Sequence, residues 1–190
     1  MKRYIIFLGI IFLSSVNAEQ LNFKNDNFNS AIESENFIKF IGSSTKGWIV
    51  TTDFTGVAKE FRIDYKKEKS ELKEVSIEIA AASLDTDNES RNEKMQTLCL
   101  KSKEYPTIKA KLIGTVALIE VTEATIPVEL AILSETKLRS LSYSIVKRDA
   151  EYIVKFSTDF SFKDFGIEDP SIFVAKVKEV FKVQGQVVVK

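Results

Sequence analysis

Through most of this chain, apolar and polar residues alternate with a period of two, and no other feature constrains the fold as strongly. In residues 74–79, Val75, Ile77 and Ile79 fall on one side, and Glu74, Ser76 and Glu78 on the other. In residues 152–162, Tyr152, Val154, Phe156, Phe160 and Phe162 share a side on which Thr158 is the polar exception. Lys155, Ser157, Asp159 and Ser161 oppose them, with Ile153 as the apolar exception. Successive strand side chains point to opposite faces, so this pattern predicts strands buried on one face and wet on the other. Similar runs occupy residues 48–54, 57–65, 107–119, 124–133, 137–147 and 173–189, and turn-forming or charged residues separate most of them. About eight strands at such short spacing predict an all-β, antiparallel barrel or sandwich. A closed barrel of about eight strands has just enough room for one small ligand.

One segment breaks the pattern. Ser90 and Glu93 have the S-x-x-E spacing of a capping box, which predicts a short helix starting near Ser90. Met95, Leu98 and Cys99 would then share one helical face. Tyr105 precedes Pro106, so it favours extended backbone and closes the segment. A helix this short is stable only if its apolar face packs on something, here the rim or wall of the barrel.

The N-terminus predicts export. Lys2 and Arg3 precede an apolar run over residues 4–13, which is too short to span a bilayer comfortably. Ser14 and Ser15 break the run, and Val16-Asn17-Ala18 supplies the small residues of a cleavage site. The expected organisation is a cleaved signal over residues 1–18, a lead-in over 19–35 with a short helical turn near Ser30 to Glu33, and a barrel domain over 36–190. Such a protein is periplasmic or secreted. No later apolar run approaches membrane-spanning length, so no transmembrane span is expected.

Composition excludes several function classes. The chain has no histidine, which removes Ser/His and Cys/His catalytic pairs and every His-bearing zinc site. Cys99 is the single cysteine, so no intramolecular disulfide can form; on the helix face it is expected to pack as a small apolar residue. Without Lys2 and Arg3, the 27 basic residues become 25 against 27 acidic, a net of −2. That balance gives no electrostatic reason to expect nucleic acid as a partner. Asp85, Asp87 and Glu89 alternate in a loop, but the calcium-loop pattern fails at Ser90 and Gln96, so no metal site is expected. No spacing singles out two carboxylates for acid–base work, and no catalytic residue or cofactor is assigned. Nothing in the sequence decides between a monomer and a homodimer.

The remaining candidate is the inner face of the barrel. It is expected to include Phe61, Ile63, Val75, Ile77, Ile79 and Leu112, together with Phe156, Phe160, Phe162 and Phe181. Every small barrel needs an apolar interior, and many are filled by their own side chains. If this one is hollow, an interior rich in Phe, Ile, Leu and Val, with no charged residue, suits a hydrocarbon chain.

Three motifs narrow the choice. The first is Ser83-Leu84-Asp85-Thr86 leading into the acidic loop, Arg91 and Met95, followed by Tyr105-Pro106-Thr107-Ile108. The second is Phe54-Thr55-Gly56 with the strand through Phe61, and the third is the run FSFKDFGI over residues 160–167. Together they resemble the YceI-like family of lipid- or polyisoprenoid-binding proteins of bacterial envelopes, over about residues 36–189. In the family's first motif an Arg-Asp pair precedes His-Leu; here Arg91 matches, Asn92 stands for Asp, and Lys94-Met95 stand for His-Leu. The resemblance implies an extended, lipocalin-like antiparallel β-barrel with one helix beside it. It also implies a periplasmic, non-enzymatic role, with a long isoprenoid or other amphiphile held in the interior. Two rivals stay open: a filled barrel acting on an envelope partner through its surface, and a carboxylate-based enzyme.

Overall fold

The computed structural model describes residues 17–47, 49–172 and 175–190. Most of the expected export signal, and Trp48, Phe173 and Val174 of two expected strand runs, lie outside the described residues. In chain order the elements are β1 (Asn17–Lys24), α1 (Phe28–Ile32), β2 (Phe37–Lys46), β3 (Val50–Ala58), β4 (Glu60–Glu68) and β5 (Glu71–Ala80). Then come β6 (Leu84–Asp85), α2 (Glu89–Lys94), β7 (Thr107–Leu112), β8 (Val116–Ala117), β9 (Val121–Ile132) and β10 (Glu135–Arg148). The last three are β11 (Glu151–Ser161), β12 (Ala175–Val177) and β13 (Val180–Val189).

All strand pairs are antiparallel, in the order β1-β4-β5-β7-β9-β10-β11-β13-β2-β3-β6, with β8 on β5 and β12 on β2. The sheet curls into a half-barrel with α2 over its open side. The chain passes from β3 to β4, on distant parts of the sheet, through the corner at Lys59. Backbone bonds from Asn25 N–H to the Lys59 carbonyl (2.8 Å) and from Lys59 N–H to the Ser83 carbonyl (3.2 Å) fix that corner.

The alternation places the core where the sequence predicts it. Phe61, Ile63 and Tyr65 of β4, Val75 and Ile77 of β5, and Ile126, Val128, Leu130 and Ile132 of β9 are all buried. Glu74 is the exposed, extra residue of a bulge at which the β4–β5 register shifts, and its φ is 51°.

Several expectations need correction. The thirteen strands described exceed the expected eight or so. The two-residue β6 and β8 and the three-residue β12 are too short to show a period. The run 57–65 is not one strand but the end of β3 and the start of β4, divided at Lys59. β2 went unseen because both its faces carry apolar residues, with Ile38 and Phe40 on one and Phe37 and Ile41 on the other. The lead-in is not a separate segment. It pairs along β4 as β1, and its Phe23 ring stacks on Phe61 with centroids 4.6 Å apart. The short helix expected near Ser30 does form, as α1, and Ser30 completes a reciprocal cap with Asn27: Ser30 N–H donates to Asn27 Oδ1 (3.0 Å) and Asn27 N–H to Ser30 Oγ (3.2 Å).

α2 is likewise capped by Asn88 rather than Ser90. The Asn88 side chain accepts from Arg91 N–H at 2.9 Å, which places Ser90 inside the first turn. Asn is among the strongest N-cap residues, and two residues upstream it takes the role first. α2 then widens into a π-helical turn, Met95–Cys99, with Leu100 N–H donating to the Met95 carbonyl at 2.8 Å. That extra residue per turn swings Leu98 out to solvent while Cys99 and Leu100 stay buried, so the expected Met95/Leu98/Cys99 face does not form. Phe162 begins a 3-10 turn, Phe162–Phe165, rather than ending β11, and the turn closes at Gly166 with φ 63°. Among the described residues, no helix is long and apolar enough to cross a membrane.

Candidate functional site

Between the curled sheet and α2 lies a cavity of about 490 Å³. Its floor and walls come from inward positions of β2, β5, β7, β9, β11 and β13, and its roof from Met95, Cys99 and Leu100 after α2. The segment carrying Ile167 and Ile172 closes one side.

An aromatic cluster forms one wall, with Phe181 at its hub. Phe160 stacks on Phe181 at 5.8 Å with rings 23° apart. Phe54 and Phe162 meet Phe181 edge-on at 6.0 and 6.4 Å, and Phe40 approaches it at 6.1 Å. Offset and edge-to-face contacts of this kind fix ring orientation as well as burying area. The rings can approach the sheet closely because glycine lies beneath them. A Cβ on Gly42 would come within 2.5 Å of the Phe181 ring and 2.6 Å of Phe54, and Gly56 and Gly185 make the same room under Phe40 and Phe156.

Six of the ten expected inner-face residues line this cavity: Ile77, Ile79, Phe156, Phe160, Phe162 and Phe181. The other four do not. Ile63, Val75 and Leu112 border a separate void of only about 60 Å³ deeper in the sheet. Phe61 borders neither space and packs against Phe23. Period two assigns a face but cannot tell where along a strand the interior opens. Phe40, Phe54 and Met95 were missed as wall residues, although Phe54 stands in one of the family-like motifs.

The interior is also not free of charge, contrary to expectation. Arg91 and Lys94 of α2 and Lys46 at the end of β2 line the cavity. The Arg91 guanidinium lies 4.8 Å over the Phe54 ring. Its Nε donates to Thr86 Oγ1 and its Nη2 to the Thr86 carbonyl, each at 2.8 Å. Burial pulls the Arg91 pKa below its ordinary value, and the charge of Asp87 opposes this. Lys94 Nζ donates to the carbonyls of Pro170 (2.7 Å) and Ser171 (3.2 Å), tying α2 to the opposite rim.

Thr86 is buried and fully partnered. Its N–H and Oγ1 both donate to Asn92 Oδ1, at 2.8 and 2.7 Å. Asn92 Nδ2 donates to Asp85 Oδ1 at 2.8 Å, and Lys59 Nζ meets Asp85 Oδ2 at 3.2 Å. Burial pushes the Asp85 pKa up, but the Asp87 N–H, the Asn92 amide and the Lys59 ammonium together hold it below its ordinary value. The Asp85 oxygens are thus committed within the loop. Among the described residues, no three His, Cys, Asp or Glu side chains gather as metal ligands. Burial raises the Cys99 thiol pKa, with Lys94 pulling the other way, so at neutral pH the thiol stays protonated.

The sequence profile of the YceI-like domain matches residues 29–189. The chain belongs to the YceI-like family. Solved structures share the fold. BcnA of Burkholderia cenocepacia superposes with a TM-score of 0.62 at 14% identity, covering 80% of this chain and 96% of that one. A polyisoprenoid binding domain from Saccharophagus degradans gives 0.61 at 13% identity, covering 80% and 92%. A mutant YceI protein of Campylobacter jejuni gives 0.51 at 18% identity, covering 71% and 84%. No curated protein matches the sequence. Within this YceI-like chain, the departures from the family motif have structural roles. Asn92 organises the Thr86–Asp85 loop, and Lys94 clamps the segment at Pro170 and Ser171.

Proposed function

We propose that this protein binds a lipid, holding a polyisoprenoid-like or other long-chain amphiphile in the cavity under α2 without chemistry. The observation that carries the proposal is the cavity of about 490 Å³, walled by Phe, Ile, Leu and Val side chains. Its volume falls in the ~300–1,000 Å³ range of small-molecule sites and is about three times an engineered ~150 Å³ cavity that holds benzene. A hydrocarbon chain entering it gains roughly 25 cal/mol for each Å² of apolar surface buried, less the cost of ordering the chain. Membership of the YceI-like family, and the polyisoprenoid-binding role of the Saccharophagus degradans domain, support the same reading. A space of this size counts against a filled barrel. Among the described residues, those lining it include no Asp or Glu, which favours binding over carboxylate catalysis.

Carriage, storage or shielding of the lipid in the periplasm or outside the cell would follow from export. A mature chain beginning at Glu19 keeps Leu21 and Phe23 of β1 opposite Ile63 and Phe61, and keeps the bond from Tyr65 OH to Glu19 Oε2 at 2.7 Å. N-terminal sequencing of protein from a periplasmic extract tests this, and Met1 retained on membrane-bound protein would contradict it.

Phe160→Trp tests the cavity assignment. Tryptophan fills space the ligand needs, so lipid occupancy should fall while the fold survives, and Phe160→Leu should retain lipid. A wild type without lipid, combined with a Trp variant destabilised by overpacking of about 1–3 kcal/mol, would favour the filled barrel instead.

A further inference from the structure

The charged residues that line the cavity are all of one sign. They are Lys39, Lys46, Arg91 and Lys94, with no Asp or Glu among the described lining residues. The chain as a whole has 27 basic and 27 acidic residues, so this imbalance is local. Lys39 can be set aside: it alternates with the inward Ile38 and Phe40, and its ammonium lies over the Phe37 ring. Lys46 keeps the inward register of Ile38, Phe40 and Ser44 at the exposed end of β2. Arg91 and Lys94 stand three residues apart on α2, one turn along the same face.

These cations lack counterions. Arg62, Arg139 and Arg148 each meet at least one carboxylate. Arg91, by contrast, bonds only to the neutral Thr86 and lies over Phe54. Lys94 bonds to two backbone carbonyls. Among the described residues, no ion pair involves Lys46, Arg91 or Lys94. Asp87 acts on Arg91 through its charge from an exposed position in the preceding loop. A guanidinium has five N–H donors and an ammonium three, so both side chains have donors to spare. Arg91 and Lys94 are partly desolvated and without a salt-bridge partner, and Lys46 lines the same apolar space from an exposed strand end, so together they favour an anion brought in from outside.

We propose that the ligand is an amphiphile with an anionic head, a phosphate or carboxylate, held by Arg91, Lys94 and Lys46 while its chain fills the aromatic-walled cavity. This rests on the lipid-binding reading and adds the chemistry of the head to it.

Matched ligands separate the two. Geranylgeranyl phosphate and geranylgeraniol share a tail, as do palmitate and hexadecanol, and each is titrated into delipidated full-length protein. One charge-assisted hydrogen bond predicts at least about tenfold tighter binding of the anionic member of a pair. Most of that preference should disappear in Lys94→Gln and in Lys46→Gln, and the exposed strand-end position of Lys46 lets its variant keep the fold. The preference should narrow as salt rises. Equal affinity for anion and alcohol in both pairs would overturn the anionic head and leave the lipid-binding reading intact. Failure of all four to bind would overturn that reading itself. Inorganic phosphate competing as well as geranylgeranyl phosphate would mark a free-phosphate site and overturn the amphiphile.

Discussion

Gly42→Ala should destabilise the protein through the aromatic wall and not through the backbone. Gly42 does not have a left-handed φ, so alanine is allowed there on conformational grounds. Replacing a strand glycine with alanine would by itself contribute about 0.5–1 kcal/mol of stability. The new Cβ, however, would sit 2.5 and 3.1 Å from two Phe181 ring carbons and 2.6 Å from the Phe54 ring tip, where ordinary contact begins at 3.4 Å. Each ring must retreat by nearly an ångström. Phe181 cannot do so freely, because Phe40, Phe54, Phe160 and Phe162 all contact it. Overpacking of this kind costs about 1–3 kcal/mol, and with Phe181 held by four other rings the upper half of that range applies, so the net loss should be about 1–2 kcal/mol. With a urea dependence of about 2 kcal/mol per M, the midpoint should fall by about 0.5–1 M. Phe181→Leu removes the blocked ring, so the Gly42→Ala/Phe181→Leu pair should be less destabilised than the sum of the singles. A coupling of at least about 0.5 kcal/mol is expected for residues in contact. An unchanged midpoint for Gly42→Ala, or strict additivity in the pair, would show that the rings do not rest on Gly42.

Two further outcomes are expected. Asn88→Ala should lower stability by about 0.5–2 kcal/mol, since it removes the cap of α2, whereas Ser90→Ala should stay within about 0.5 kcal/mol; urea melts of the two variants reverse or confirm that assignment. Asp85 has a folded-state pKa below its unfolded value, so it contributes stability above about pH 4 that is lost as pH falls through the lower, folded value. Stability of Asp85→Asn measured between neutral pH and pH 2 should therefore depend less on acid than wild type, and an identical dependence would contradict the Lys59–Asp85–Asn92 network.

Much of the fold was legible because strand faces write themselves into sequence. Val75, Ile77 and Ile79 opposite Glu74, Ser76 and Glu78 declared β5 outright, and the Tyr152–Phe160 alternation declared β11. β2 was illegible for the same reason: with apolar residues on both faces, Phe37-Ile38-Lys39-Phe40-Ile41 shows no period. β1 was hidden by Asn-rich surroundings, although Leu21 and Phe23 are its two core contacts. The helix was located but not its cap or its π turn. Asn88 and Ser90 are both good cap residues, and the upstream one, whose side chain accepts from Arg91 N–H, takes the role first. For the site, alternation gave the inward face but not its depth, so Ile63, Val75 and Leu112 joined the list although they surround only a small void. The cations on the rim could not be found by apolar periodicity. Arg91 and Lys94 stood in the family-like motif, but that they line the same space as Lys46 depends on the curl of the sheet and the path of residues 170–171.

The central claim, that the cavity holds a lipid chain, is tested most directly by native mass spectrometry of protein purified without detergent. A fraction of the protein should carry one additional mass, released on denaturation as an apolar-tailed compound and diminished in Phe160→Trp. A spectrum of protein alone that stays unchanged after incubation with geranylgeranyl phosphate, geranylgeraniol, palmitate and hexadecanol would contradict it.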